Sequence, residues 1–421
     1  MHPSSKRVIA DLRELAKLTT DARGAQRVAW GPVWRTTRAW FADKLRRDAG
    51  LEPTVDAAGN MWATLPGVSK RGIVIGSHLD SVPGGGWLDG CLGVLAGLEV
   101  LRRARATGAP PPVSIHVVDW ADEEGARFGR SLVGSSASAG TLDARRELAH
   151  LVDRAGTKLP DALAENGVDV AKMTKGASAY FKKLQAAAYL ELHIEQGPVL
   201  EEMKRTAAVV LGTMGVERHS LRFVGQAAHS GAAPLHLRKD AFLAAAEFAL
   251  ACREISVRHS GKTPRSRVVA TCGVVKVEPG FVTAVPGATE ISIDMRALDA
   301  KVLAKMLKEA KAAAQKAART HKVALTWTPT WEIPPRLFDE QLMAMARDAV
   351  KEATGHVPEI PSGPLHDAAE MAPLVPTVMI FAQSSPGVSH TKIEDTPPKA
   401  LDESIQAFLG TVDRTARYLS A

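Results

Sequence analysis

The chain has 421 residues, 45% hydrophobic and 24% charged, the make-up of a soluble globular protein with core enough to fold without staples. Its formal charge of +7 is spread over short basic pairs such as Arg46-Arg47 and Lys182-Lys183, so solvated helix faces account for it, and no clustered basic and aromatic face marks a nucleic-acid binder. Three cysteines (Cys91, Cys252, Cys272) without CxxC spacing exclude a disulfide framework and a thiolate metal cage, and no apolar run is long enough to span a membrane.

The N-terminal segment lacks the continuous apolar stretch of a secretory signal. It reads as an amphipathic helix with Ile9, Leu12 and Leu15 on one side, so a cytoplasmic protein is expected. Short apolar strands then alternate with helices: 73–77 (IVIGS), a helix over 90–107, a strand over 113–119 (VSIHVVD) and a third over 188–194 (AYLELHI). That alternation predicts an α/β layered domain, whose ligands gather at the carboxyl ends of its strands. His78, the acids around Glu123, and His193 all fall at or near such ends.

The middle of the chain has a different rhythm. Extended segments at 207–225, 267–277, 288–297 and 322–328 are interleaved with helices at 239–258 and 300–319, the order βαββαβ of a split βαβ unit. The expected fold is therefore α/β: a layered catalytic domain with a central mixed sheet, formed by 1–211 and 329–421, and an inserted ferredoxin-like domain at 212–328.

Five clusters carry candidate chemistry. In Gly76-Ser-His-Leu-Asp-Ser-Val82, His78 and Asp80 stand two apart on an extended segment and point the same way. A carboxylate beside a metal-bound imidazole fixes its tautomer, although a strand-end histidine is equally a structural residue. Gly84-Gly-Gly-Trp-Leu-Asp-Gly90 places Asp89 at a loop-to-helix junction, as a ligand, a helix cap or both. Asp122, Glu123 and Glu124 follow a strand; a solvated turn explains them, and so does a divalent cation that relieves their repulsion. His193 alternates with Leu192 and Ile194, and His390 sits in a Gly/Ser loop near the C-terminus. Imidazole and carboxylate together suit Zn²⁺, Mn²⁺ or Co²⁺.

In order and surroundings these motifs resemble the M20 metallopeptidase family. The match is closest to its hydantoinase/carbamoylase branch of N-carbamoyl-L-amino acid hydrolases, β-ureidopropionases and allantoate amidohydrolases. The resemblance runs from Gly24-Ala-Gln-Arg-Val-Ala-Trp30 through Asp56-Ala-Ala-Gly-Asn60, Ala228-His-Ser-Gly-Ala-Ala-Pro234 and Leu365-His-Asp-Ala368 to Glu394. It implies two divalent metal ions: His78 and His193 on one, Glu124 and His390 on the other, with Asp89 bridging. It further implies Asp80 as the orienter of His78, Glu123 as general base and His229 as the group that polarises the scissile carbonyl. Arg296 then holds a substrate carboxylate, with Gln196 and His366 lining the pocket. The inserted domain is implied to act as a lid and homodimer interface.

One departure bears on substrate: Thr283 stands where relatives commonly carry an asparagine that contacts substrate. The implied activity is hydrolysis of a C–N bond in a small carboxylate-bearing molecule, foremost an N-carbamoyl amino acid. N-acyl amino acids, dipeptide-like amides and allantoate are alternatives. A non-catalytic binding protein on the same fold would have lost part of the ligand set, which is complete here.

Overall fold

The computed structural model describes all residues, 1–421, and divides the chain into two compact units. The first comprises Met1–Leu211, Phe338–Ile360 and Pro364–Ala421; the second comprises Gly212–Leu337 and Pro361–Gly363. Ten strands matter for the argument. They are β1 (Met61–Leu65), β2 (Ser69–His78), β3 (Val113–Trp120), β4 (Ala186–Ile194), β5 (Ala207–Thr213), β6 (Gly215–Val224), β7 (Val268–Thr271), β8 (Ala288–Ala297), β9 (Ala324–Ile333) and β10 (Thr377–Ala382). β9 continues to Ile333, past the expected end at 328, and carries 329–337 with the second unit.

In the first unit the sheet order is β5-β10-β4-β2-β3-β1. The central pairs β10/β4, β4/β2 and β2/β3 are parallel, whereas β5 and β1 run antiparallel at the flanks. A mixed α/β sheet is thus observed. Strands with both faces covered read as continuous apolar runs: every residue of β3 and the last seven of β2 are buried. The N-terminal helix Pro3–Thr19 buries Val8, Leu12 and Leu15; Val8, rather than the expected Ile9, completes its apolar stripe. No helix is long and apolar enough to cross a membrane.

The second unit follows the order β6, helix Ala241–His259, β7, β8, helix Ala300–Thr320, β9, with antiparallel pairing in the order β7-β8-β6-β9. Alternation decides its layers. Ile291, Ile293 and Met295 of β8 are buried in a core with Leu221, Phe223, Phe248 and Met306, while Glu290, Ser292, Asp294 and Arg296 lie on the other face. Asp240 and Asp299 cap the two helices by accepting backbone N–H groups of their first turns.

Phe248 is fully buried and meets Trp327 edge-on at 5.9 Å and Phe223 at 6.3 Å. Phe248→Ala leaves a cavity between Phe223 and Trp327 and is expected to destabilise this unit by about 3–5 kcal/mol, read as a lower urea midpoint.

Candidate active site

Parallel strands end at a common edge, and this edge collects the candidate residues. His78 is the last residue of β2, in register with Trp120 at the end of β3, after which Asp122, Glu123 and Glu124 follow. His193 of β4 stands opposite Phe381 of β10, whose following loop carries Ser389 and His390. Gly90, not Asp89, occupies the N-cap of helix Cys91–Ala106, and no side chain caps it. Asp89 is thereby left to the site. Gly90 has φ +67°, and a Cβ there would lie 2.3 Å from the His78 carbonyl oxygen and 2.5 Å from its ring, so only glycine lets the two segments approach.

Asp89 is the hub. Its Oδ1 lies 3.2 Å from His193 Nε2 and 3.8 Å from His78 Nε2. Its Oδ2 lies 3.5 Å from His390 Nε2 and accepts hydrogen bonds from Gln196 Nε2 at 2.9 Å and Ser389 Oγ at 3.1 Å. Glu124 Oε2 is 3.2 Å from His390 Nε2. Two groups of three potential ligand atoms result, His78/Asp89/His193 and Asp89/Glu124/His390, each contained within 4.8 Å and both including Asp89. A third grouping, Glu191/His193/His366, shares His193. Its Glu191 already accepts from Ser77 Oγ, Tyr189 OH and the Ala368 N–H.

Asp80 joins two motifs. His78 Nδ1 lies 3.1 Å from the Asp80 carbonyl oxygen and 3.6 Å from its carboxylate, so the main chain is the nearer partner of the ring. The carboxylate instead accepts the N–H groups of Glu123 and Glu124, each at 3.2 Å. Glu123 is buried with Oε2 3.6 Å from His78 Nε2. Burial first, then the charges of Asp367, Glu124, Asp80 and Asp89, hold its carboxyl well above the usual range. Burial and the charges of Asp122 and Glu124 do the same to Asp80. Crowded buried carboxylates beside imidazoles are the donor chemistry of a divalent transition-metal site, and the residues present fit such an ion. Asp122 takes another path: its backbone is left-handed (φ +58°) and its Oδ2 accepts from Trp30 Nε1 at 2.6 Å, which turns it away from the donors.

Gln196 also has a left-handed backbone (φ +59°), and its Oε1 is buried without a hydrogen-bond partner. His366 is buried with its ring 4.4 Å from that of His193 and its Nε2 unpartnered. The structure thus brings His78, Asp80, Asp89, Glu123, Glu124, His193, Gln196, His366 and His390 to one edge of the first unit. His229, Thr283 and Arg296 belong to the second unit. There, exposed His229 pairs with Ala284 across a two-residue ladder, its Nδ1 accepts the Gly231 and Ala232 N–H groups at 3.2 Å, and the neighbouring Thr283 carbonyl accepts the Ser230 N–H at 2.8 Å. Arg296 is engaged by Asp294 at 2.8 and 3.2 Å and donates to the Gly363 carbonyl at 2.7 Å; Asp294 also holds Arg218.

Glu394 and Ser389 had no role in the sequence reading. Glu394 is buried, accepts the Asp89 N–H at 3.2 Å and takes the Ser389 hydroxyl at 2.5 Å, so it anchors both Asp89 and the serine that touches it. A Cβ on Gly86 would meet the Glu394 carboxylate at 2.1 Å, so the glycine run before Asp89 is what admits that acid. In the sequence Glu394 marks the end of the family resemblance, but nothing in the spacing says what its carboxylate holds.

Gly90→Ala combines a strained backbone with a clash against His78. It is expected to lower metal affinity by about tenfold or more, measured by chelator competition, with folding followed by circular dichroism.

The model of peptidase family M20/M25/M40 matches residues 74–414. An N-carbamoyl-L-amino acid amidohydrolase of Geobacillus stearothermophilus is 38% identical over 351 residues, 83% of each chain. A ureidoglycolate hydrolase of Oryza sativa subsp. japonica is 31% identical over 90% of this chain and 80% of its own. The crystal structure of a hydantoinase/carbamoylase family amidase from Burkholderia multivorans superposes with a TM-score of 0.86 at 30% identity over 98% of both chains. The chain belongs to peptidase family M20/M25/M40, and it is an amidohydrolase of the hydantoinase/carbamoylase branch.

Proposed function

We propose that this chain hydrolyses the carbamoyl C–N bond of N-carbamoyl amino acids with two divalent metal ions, Zn²⁺, Mn²⁺ or Co²⁺. The observation that carries the reading is the Asp89 carboxylate, which offers one oxygen to His78 and His193 and the other to the side of Glu124 and His390. His78, His193 and Asp89 would hold one ion, and Asp89, Glu124 and His390 the other. Bound there, such ions supply Lewis acidity and ease ionisation of a water molecule.

The remaining chemistry falls to side chains. Glu123, buried beside His78, accepts the proton of the attacking water and delivers it to the leaving nitrogen. Burial first, and then the surrounding negative charge, raises its carboxyl, which suits a group that must both take and return a proton. Asp80 fixes the Glu123 and Glu124 backbone and thereby the aim of both side chains. Gln196 steadies Asp89 with its amide nitrogen and presents its unpartnered Oε1 to a substrate N–H. His366 backs His193 and closes the floor of the pocket. His229 polarises the scissile carbonyl and stabilises the oxyanion, and Arg296 forks the substrate carboxylate. For an N-carbamoyl amino acid the products are the amino acid, CO₂ and ammonia.

The second unit, with its βαββαβ order and β7-β8-β6-β9 arrangement, is assigned as a ferredoxin-like lid and homodimerisation domain. Supporting the second role, Leu243, Leu250 and Val257 stand seven residues apart on helix Ala241–His259, exposed by 49%, 66% and 61%. An apolar stripe of this kind marks an association surface. The setting is cytoplasmic. Thr283 favours a second substrate class, N-acyl amino acids, because a site lacking the amide side chain loses a partner for the ureido group; allantoate is a further carboxylate-bearing candidate.

Ammonia and amino acid release from N-carbamoyl amino acids, allantoate and N-acyl amino acids, using stripped protein with Zn²⁺, Mn²⁺ or Co²⁺ restored, tests the reading. Metal-dependent ammonia from the carbamoyl substrates is expected. Free amino acid from N-acyl substrates alone would transfer the activity to amide hydrolysis. Glu123→Gln is expected to reduce kcat by about 10²–10⁴-fold with metal content retained; unchanged turnover would remove Glu123 from the base role. Leu250→Glu is expected to halve the mass measured by light scattering, and a wild-type monomer would reject the dimer assignment.

A further inference from the structure

Leu79 stands between His78 and Asp80, and both polar groups of its peptide are held by buried side chains. Its N–H donates to Asp119 Oδ1 at 2.8 Å, and its carbonyl accepts from Arg27 Nε at 2.9 Å. Asp119 is paired in turn with buried Arg38, Nε to Oδ2 at 3.0 Å, and the Arg38 guanidinium lies 4.5 Å over the Trp34 ring. Arg27 is fully buried at 0% exposure. Its main chain exchanges hydrogen bonds with Ser81: its N–H donates to Ser81 Oγ, and its carbonyl accepts the Ser81 N–H, both at 3.1 Å. Its Nη2 reaches the Gly86 carbonyl and its Nη1 reaches Thr19 Oγ1, each at 3.4 Å.

All the oxygens that Arg27's side chain meets in these bonds are neutral. Taking a guanidinium out of water without a carboxylate partner is costly, and an apolar side chain would fill the space at less expense. What the guanidinium adds is geometry. Its planar fork of N–H groups bonds two backbone segments at once. One is the residue linking His78 to Asp80; the other lies three residues before Asp89. Neither Arg27 nor Asp119 is among the residues that meet the donor atoms of the site.

We propose that Arg27 and Asp119 are positioning residues of the metal centre, clamping the Leu79 peptide from both ends while Arg27 ties it to the Gly86 turn, so that His78, Asp80 and Asp89 keep a fixed separation. The clamp acts on the ligands before any substrate arrives. It therefore governs metal affinity and kcat and leaves KM nearly untouched. It rests on the reading of His78 and Asp89 as metal ligands.

The test measures Zn²⁺ affinity by chelator competition, thermal unfolding of the metal-free protein, and kcat and KM separately, for wild type, Arg27→Met, Arg27→Lys, Asp119→Asn and the double variant Arg27→Met/Asp119→Asn. Folded Arg27→Met is expected to bind Zn²⁺ about 10–100-fold more weakly, the range for groups that orient metal ligands, with kcat reduced and KM within about threefold of wild type. Arg27→Lys keeps the charge but cannot span Leu79 and Gly86, and it is expected to lose affinity too; it decides the matter if the Met variant does not fold. The double variant is expected to lose less than the product of the single losses, because both side chains act on one peptide. Variants that unfold at lower temperature yet bind Zn²⁺ with wild-type affinity and turn over with wild-type kcat would overturn the proposal. Wild-type protein that binds no Zn²⁺ would overturn the metal assignment beneath it, so the two failures are separable.

Discussion

Carboxylates crowded out of water repel one another, and the first unit is organised around that repulsion. Asp80, Asp89, Asp122, Glu123, Glu124 and Glu394 converge at one edge of a sheet, five of them buried. Each must be protonated, hydrogen-bonded or matched by positive charge. The fold answers differently for each. Asp80 takes two backbone N–H groups, Asp122 takes an indole, Glu394 takes a serine hydroxyl and a backbone N–H, and Asp89 is ringed by three imidazoles. Glu123 is the acid left with the least direct compensation, and it is the one to which proton transfer is assigned.

The parallel sheet makes this concentration possible. β2, β3, β4 and β10 point the same way, so their four carboxyl ends and the loops beyond them meet at one edge. Their interiors are buried on both faces, and the rigid strands hold His78 and His193 while the loops supply the acids. Glycine supplies what side chains cannot: Gly90 lets the Asp89 turn approach His78, and Gly86 makes room for Glu394. Behind the donors lies a second set of buried polar groups, Arg27, Arg38, Asp119 and Glu191, whose bonds run to backbone and to neighbouring strands. Evolution has placed charge there where apolar packing would be cheaper, and orientation of the donors is the physical return.

The second unit obeys simpler rules. Its antiparallel sheet covers one face with two capped helices and leaves the other polar, and alternation along β8 sorts Ile293 and Met295 from Asp294 and Arg296. On that polar face Asp294 binds both Arg218 and Arg296. Helix Ala241–His259 has a buried side and an exposed apolar side, and only the first is needed for its own fold.

Periodicity in the sequence determined the elements: two-sided apolar runs for β2, β3 and β4, alternation for β8, and an Ala/Lys helix at Ala300–Thr320. The residue types and their spacing marked the candidate clusters, while the roles given to His78, Asp89, Glu124, His193 and His390 came from the family resemblance. Local patterns are legible since they are fixed by neighbours in the chain. The tertiary structure alone decided which of three consecutive acids turns inward to Trp30, that Gly90 and not Asp89 takes the helix cap position, and that Val8 replaces Ile9 in the core. It also decided that β9 extends to Ile333 and that Arg27, Asp119 and Glu394 stand behind the site. These depend on residues tens to hundreds of positions apart meeting in space. A buried arginine or glutamate carries no sequence mark of its burial, because what makes it affordable is the set of distant hydrogen-bond partners that only the folded chain assembles.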